Sequence, residues 1–252
     1  MEHGYLYKHL EPLAESVHLI FYDQRLSGRS SADVDSNEIT MKNFVEDIEA
    51  IRQHFRLGRI HLMGHSWGGM IAMYYAIEYG ENLQSLILLN SMPASWEVWQ
   101  EENKRLASMA DPADAEARNA VVSSDAYARK EVSAFEELHR ISFRGQFYDR
   151  TLVDSLSFYI APDLDERGRK FGALMPELIN FDIHDDLSSV LAPTLIVYGA
   201  AEAAATLSGQ RLRLAIPNSK LIIIPNSGHF PFVETPGAFL TTVGSFLKKN
   251  EL

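Results

Sequence analysis

Residues 59–69 read RIHLMGHSWGG, and no other stretch restricts the fold as tightly. A short apolar run (Ile60, Leu62, Met63) leads straight into Gly64-His65-Ser66-Trp67-Gly68. An apolar stretch without glycine, 70–79, follows and is closed by Gly80. That order describes a buried strand, a very tight turn and a helix. The Gly-x-Ser-x-Gly spacing suits a serine held on a strained turn, its hydroxyl pushed out beyond the sheet edge. Gly64 and Gly68 are expected to leave room where a Cβ would meet the neighbouring strand or helix. The N-terminus of the helix faces the serine and favours negative charge developing beside it. An inert serine in an ordinary βα turn shares the pentapeptide; the flanking strand and helix favour the reactive reading.

The rest of the chain repeats the strand–helix texture at both ends. Residues 17–22 (VHLIFY), 85–90 (SLILLN), 193–199 (PTLIVYG) and 220–224 (KLIII) are apolar runs suited to strands buried on both faces of a parallel sheet. Between them lie helical periods at 1–16, 41–55, 207–215 and 236–249, the second capped by Thr40. The expected fold class is α/β, a mostly parallel sheet covered by helices. From 92 to 191 the strand-like runs vanish and charged amphipathic segments replace them (95–110, 113–140, 148–160). This reads as a helical cap, or lid, inserted into a core made of 1–91 and 192–252.

Composition removes several function classes. The 252 residues carry a formal net charge of −11, which repels nucleic acid and anionic membrane surfaces. There is no cysteine, so disulfides and thiolate metal sites are excluded. No apolar run approaches the ~20 residues that span a bilayer, and no basic-then-apolar leader opens the chain, so a cytoplasmic protein is expected. The expected partner is a small molecule or short peptide; the oligomeric state stays open.

A serine hydroxyl needs a base to take its proton. His229, in Asn226-Ser227-Gly228-His229-Phe230 just past the last strand, sits where parallel-sheet proteins carry functional loops. His61 and His65 are four apart, but on a strand that spacing spans ~13 Å, too far to share an ion, so no metal is expected. The base needs an acid to fix its tautomer, and the order Ser–acid–His points to the loop after PTLIVYG. Glu202 is the carboxylate there; Asp185 and Asp186 precede that strand. A solvated surface glutamate is the competing reading of Glu202.

These residues resemble the α/β-hydrolase family, most closely its proline iminopeptidase-like branch. The resemblance rests on Asp23-Gln24-Arg25 with Ser27-Gly28-Arg29-Ser30, on Gly64-His65-Ser66-Trp67-Gly68-Gly69, and on Gly228-His229. It covers both ends of the chain and fades within 92–191. It implies Ser66 as nucleophile, His229 as base, the Trp67 backbone N–H as one oxyanion donor, and no cofactor. It also places the acid three residues after Gly199, at Glu202, where most members carry Asp. Leu26 stands where the branch usually has Gly. The family's His-Gly-Gly-Pro-Gly loop, source of the second oxyanion N–H, belongs just before a segment like MEHGYLYKHL. The first strands are therefore expected to be missing from this chain, leaving a gap inside the sheet.

The resemblance further implies carboxylates on the cap that hold the free amine of an N-terminal residue, for which Glu136, Glu137 and Glu177 are candidates. Among the cap aromatics, Trp96 and Tyr148 with Trp99, Phe143, Phe158 and Tyr159 are candidates for lining a prolyl or apolar pocket, or for packing the cap onto the sheet. The leading expectation is an acyl-enzyme hydrolase releasing N-terminal proline or another apolar residue. A carboxylesterase or carbon–carbon-bond hydrolase would use the same triad. A catalytically silent binding protein of this fold is the alternative from another class.

Overall fold

The computed structural model describes residues 2–202 and 204–251. Strands β1 (Ile60–His65), β2 (Leu83–Leu89), β3 (Thr194–Gly199) and β4 (Ser219–Ile224) form one sheet in that order, each pair parallel. The helices are α1 (Gly4–Leu10), α2 (Met41–His54), α3 (Trp67–Glu78), α4 (Trp96–Ser108), α5 (Pro112–Val122), α6 (Asp125–Ala128), α7 (Val132–Arg144), α8 (Leu164–Phe171), α9 (Met175–Leu178), α10 (Ser208–Ala215), α11 (Pro231–Glu234) and α12 (Pro236–Lys249). Among the described residues, none of the helices is long and apolar enough to cross a membrane.

Alternation along the strands builds two cores, one on each face of the sheet. Leu86, Leu88, Ile196 and Tyr198 pack on one side with Phe44, Met70, Met73 and Leu212, from α2, α3 and α10. Ile87, Leu89, Leu195 and Val197 pack on the other with Tyr5, Leu10, Phe239 and Val243, from α1 and α12. Each such fully buried side chain contributes roughly 1.5–3 kcal/mol, so the double-faced burial explains why the strands read as unbroken apolar runs. Local signals set the helix ends. Thr40 Oγ1 accepts from Asn43 N–H at 3.2 Å to start α2, and Ser95 Oγ accepts from Val98 N–H at 3.4 Å to start α4.

Residues 17–22 depart from the expectation of a buried strand. They belong to no ladder, and their side chains are half-buried apart from the exposed His18. The apolar run has a packing cause all the same. Val17, Leu19 and Phe21 lie against one core and Tyr22 against the other, so the period of two is kept without strand pairing.

Between β2 and β3 the chain adds helices α4–α9 and no strand of the sheet. Its two ends are tied together: Ser95 and Asp182 form an antiparallel bridge, Trp96 N–H bonds Phe181 O at 2.8 Å, and Ile183 N–H bonds Ala94 O at 2.9 Å.

All four strands run the same way, so their C-terminal ends share one edge of the sheet. Ser66 follows β1, Asn90 follows β2, Glu202 follows β3 by three residues, and His229 comes in the loop after β4. This edge is where open α/β sheets bind ligands.

Candidate active site

Ser66 caps α3 with φ 55° and ψ −120°, a left-handed region that few non-glycine residues occupy. Its backbone is held from two sides: its N–H bonds Leu89 O at 3.0 Å, and its carbonyl accepts from Met92 N–H at 3.0 Å. Gly64 makes this bend possible, since a Cβ there would lie 2.2 Å from Gly68 O. The expected need for glycine at Gly68 is not met, because a Cβ there has nothing within 4 Å. The crowded second glycine is Gly69, where a Cβ would reach 2.3 Å from Ser91 Oγ. The helix packs through Gly69 against Ser91, just past the end of β2, one residue later than the spacing suggests.

His229 is 8% exposed, and its Nδ1 lies 2.7 Å from Glu202 Oε2. Because the carboxylate only accepts, Nδ1 carries the hydrogen and Nε2 is left as an acceptor. The loop is fixed from behind: His229 N–H bonds Gln146 O at 2.8 Å, and Gly228 N–H bonds Glu234 Oε2 at 2.6 Å. Glu234 Oε1 also accepts from Tyr148 N–H at 2.7 Å and Asp149 N–H at 3.1 Å. One carboxylate therefore joins the histidine loop to the residues that follow α7.

Two further residues complete the arrangement, and neither was found from sequence. Asn90 Nδ2 donates to Glu202 Oε2 at 2.8 Å and to Gly228 O at 3.1 Å. His65, buried beside His229, is bonded at both ring nitrogens: Nδ1 to Tyr5 Oη at 2.7 Å and Nε2 to His229 O at 2.9 Å. A carbonyl can only accept, so Nε2 is the protonated nitrogen and the Tyr5 hydroxyl donates to Nδ1. Burial and the neighbouring His229 hold the pKa of His65 well below its ordinary value, keeping it neutral. His61 is engaged elsewhere, its Nδ1 2.7 Å from Ser85 Oγ.

Ser66, Asn90, Glu202 and His229 line one cavity of about 250 Å³, together with Trp99, Glu102, Asn103, Leu106 and Phe143. From α4, positions 99, 102, 103 and 106 follow i, i+3, i+4, i+7, so one helical stripe faces the site. Glu102 interrupts that stripe with a carboxyl. It is 8% exposed, and burial raises its pKa to about 7, with Glu202 adding to the rise and the Ser208 hydroxyl opposing it. Ser208 Oγ donates to Glu102 Oε1. A glutamate on an otherwise inward stripe was the available sequence signal.

Other expected binding residues lie elsewhere. Glu136 and Glu137 are half-buried on α7 and do not line the cavity; Glu137 sits 3.7 Å from Arg144 instead. Glu177 Oε2 accepts from Met41 N–H at 2.9 Å, an N-terminal tie for α2. Trp96 lies one turn before Trp99 on the same face of α4 but does not line the cavity, and it meets Trp99 edge-on at 5.1 Å. Tyr148 is 59% exposed and contributes its backbone rather than its ring. Trp67 turns its indole away from the cavity to Gln24 Oε1 at 3.0 Å, while its backbone N–H opens α3 with no intrahelical acceptor available. Among the described residues, Glu2, His3 and Asp23 are close enough to share an ion, but their oxygens already accept from Gly4, His3 and Arg29 N–H groups.

A strained serine ahead of a helix, opposite an imidazole paired with a carboxylate on a parallel sheet, defines the class: a serine hydrolase of α/β architecture. The family model described as alpha/beta hydrolase fold matches residues 2–170, and the chain belongs to that family. Within it, similarity places the chain in the proline iminopeptidase-like branch. It is 28% identical over 264 residues to a proline iminopeptidase of Clostridioides difficile (strain 630), covering 99% of this chain and 86% of that one. A proline iminopeptidase of Clostridium botulinum is 29% identical over 259 residues, with the same coverage of 99% and 86%. Among solved structures, a proline iminopeptidase of Mycobacterium smegmatis superposes with a TM-score of 0.65 at 21% identity, over 98% of this chain and 86% of that one. VinJ superposes with a TM-score of 0.71 at 21% identity, over 99% and 87%. These two likenesses concern the fold.

Proposed function

We propose that this protein releases an N-terminal proline, or another small apolar residue, from peptides through an acyl-enzyme. The observation that carries the reading is the single cavity in which Ser66, His229 and Glu202 meet a buried carboxyl, Glu102. Ser66 Oγ attacks the carbonyl carbon of the first residue while His229 Nε2 takes the hydroxyl proton. Glu202 holds the Nδ1 hydrogen and stabilises the imidazolium that forms. The Trp67 N–H at the start of α3 donates to the oxyanion. His229 then returns the proton to the departing amine as the C–N bond breaks. A water deprotonated by His229 attacks the ester, and His229 gives that proton to Ser66 Oγ as the ester C–O bond breaks.

Glu102, in place of Glu136 or Glu137, is the group for the substrate's free amine. An ammonium beside it favours its charged form and removes the cost of a buried carboxylate. Trp99, Leu106 and Phe143 supply apolar walls for the side chain of the first residue. Residues 92–191 act as the cap that brings these walls over the elbow serine, in a cytoplasmic enzyme with no cofactor. The experiment compares L-proline β-naphthylamide with p-nitrophenyl acetate. Turnover of the anilide that S66A abolishes is the expected result; turnover of the ester alone overturns the peptidase reading.

A further inference from the structure

Asn90 stands at the end of β2, where a strand hands over to a loop, and nothing in the hydrolytic scheme uses it. It is 1% exposed and holds φ 41°, a left-handed conformation that asparagine tolerates better than most residues. Its backbone N–H bonds Val197 O at 2.8 Å, fixing it to β3. Its side-chain nitrogen donates twice, to Glu202 Oε2 at 2.8 Å and to Gly228 O at 3.1 Å. The oxygen of the same amide, Oδ1, is buried with no partner among the described residues. Turning the amide over would not help: it would set Oδ1 against a carboxylate and a carbonyl, two acceptors. The charge on Glu202 therefore dictates which way Asn90 faces.

Glu202 Oε2 is also the oxygen that accepts from His229 Nδ1. A glutamate has one more torsion than an aspartate, and one hydrogen bond to one oxygen leaves its carboxylate free to swing. A second donor on that oxygen, itself anchored to two strands, removes this freedom. The bond to Gly228 O ties the same amide to the residue before His229. We infer that Asn90 is a positioning residue that clamps the long acid Glu202 against His229 and couples the two loops that carry them. This inference rests on the proposed roles of Glu202 and His229.

The test reads the His229 Nδ1 proton directly, by low-field proton NMR on protein with nitrogen-15-labelled histidine, in wild type, N90A and N90D. The labelled signal is expected in wild type and shifted upfield or broadened away in both variants. A signal unchanged in a folded N90A, which removes the amide donor altogether, overturns the inference. Steady-state kinetics supply the second arm. As for other partners that hold a reacting group in place, the kcat of N90A is expected to fall about 10–100-fold with KM little changed. N90A added to E202A is expected to cost less than about twofold further, since the residue acts through Glu202. Equal losses in both backgrounds identify a merely structural role. A wild type that shows the NMR signal but hydrolyses nothing leaves the clamp standing and overturns the proposed function.

Discussion

A Cβ on Gly64 would lie 2.2 Å from the carbonyl oxygen of Gly68, whereas a Cβ on Gly68 would meet nothing within 4 Å. The two glycines of one motif thus have different jobs. G64A must push backbone against backbone at the serine bend. It is expected to lose ~1–3 kcal/mol of stability by overpacking and at least tenfold in kcat. G68A places alanine in the first turn of a helix and is expected to gain ~0.5–1 kcal/mol. Urea denaturation of both variants checks the pair; a G68A as damaged as G64A would contradict this geometry.

The chain's legibility divides along the same line, between local and long-range causes. The elbow and β1–β4 are written in short runs, because burial on both faces demands apolar residues throughout. Residues 17–22 carry the same composition without becoming a strand, since ladder pairing depends on a partner that the run itself does not encode. Glu202 was reachable by counting from Gly199 and lies 2.7 Å from His229. Asn90 and Glu102 were not reachable that way. Asn90 owes its place to a contact 112 residues away, and Glu102 looks like one more acid in a charged helix until the inward stripe is drawn. Choosing pocket residues by type alone picked Trp99 and Phe143, which line the cavity, along with Trp96, Tyr148, Glu136 and Glu137, which do not.

Glu102 is expected to make stability, and affinity for an amine substrate, depend on pH. Its pKa rises from 4.5 to about 7 on folding, so between those values the folded state holds a proton that the unfolded state has lost. Stability from this group is therefore full below 4.5 and is lost as pH rises through about 7, a change of up to about 3 kcal/mol. E102Q is expected to flatten that slope in denaturation midpoints. For an amine substrate, KM is expected to fall as pH rises from 6 to 7.5, while the KM of a neutral ester stays level. Parallel profiles for both substrates would remove Glu102 from amine recognition.

Shortening the acid tests whether its length matters. E202D withdraws the carboxylate by one methylene from both His229 Nδ1 and Asn90 Nδ2, at 2.7 and 2.8 Å in the wild type. The expected loss in kcat is about 10–100-fold with KM within threefold, smaller than the ~10⁴ that follows when a triad acid becomes an amide. An E202D as fast as wild type would show that the backbone retracts freely to accommodate either acid.

Behind His229, the Tyr5 hydroxyl fixes His65 so that His65 can hold the His229 carbonyl. Y5F removes the donor from a buried acceptor. It is expected to cost ~1–2 kcal/mol of stability and to lower kcat severalfold without raising KM. Thermal melts and steady-state rates check the two parts separately. A Y5F that destabilises but leaves kcat untouched would confine this network to a structural role.

The most direct measurement is labelling with a fluorophosphonate, which reacts with a serine hydroxyl only when a base has activated it. Peptide mass spectrometry of the folded protein is expected to find one adduct per chain, on Ser66, absent from S66A and strongly slowed in H229A. A folded, native sample that takes up no label, or takes it up at another serine, would contradict hydrolysis at this site.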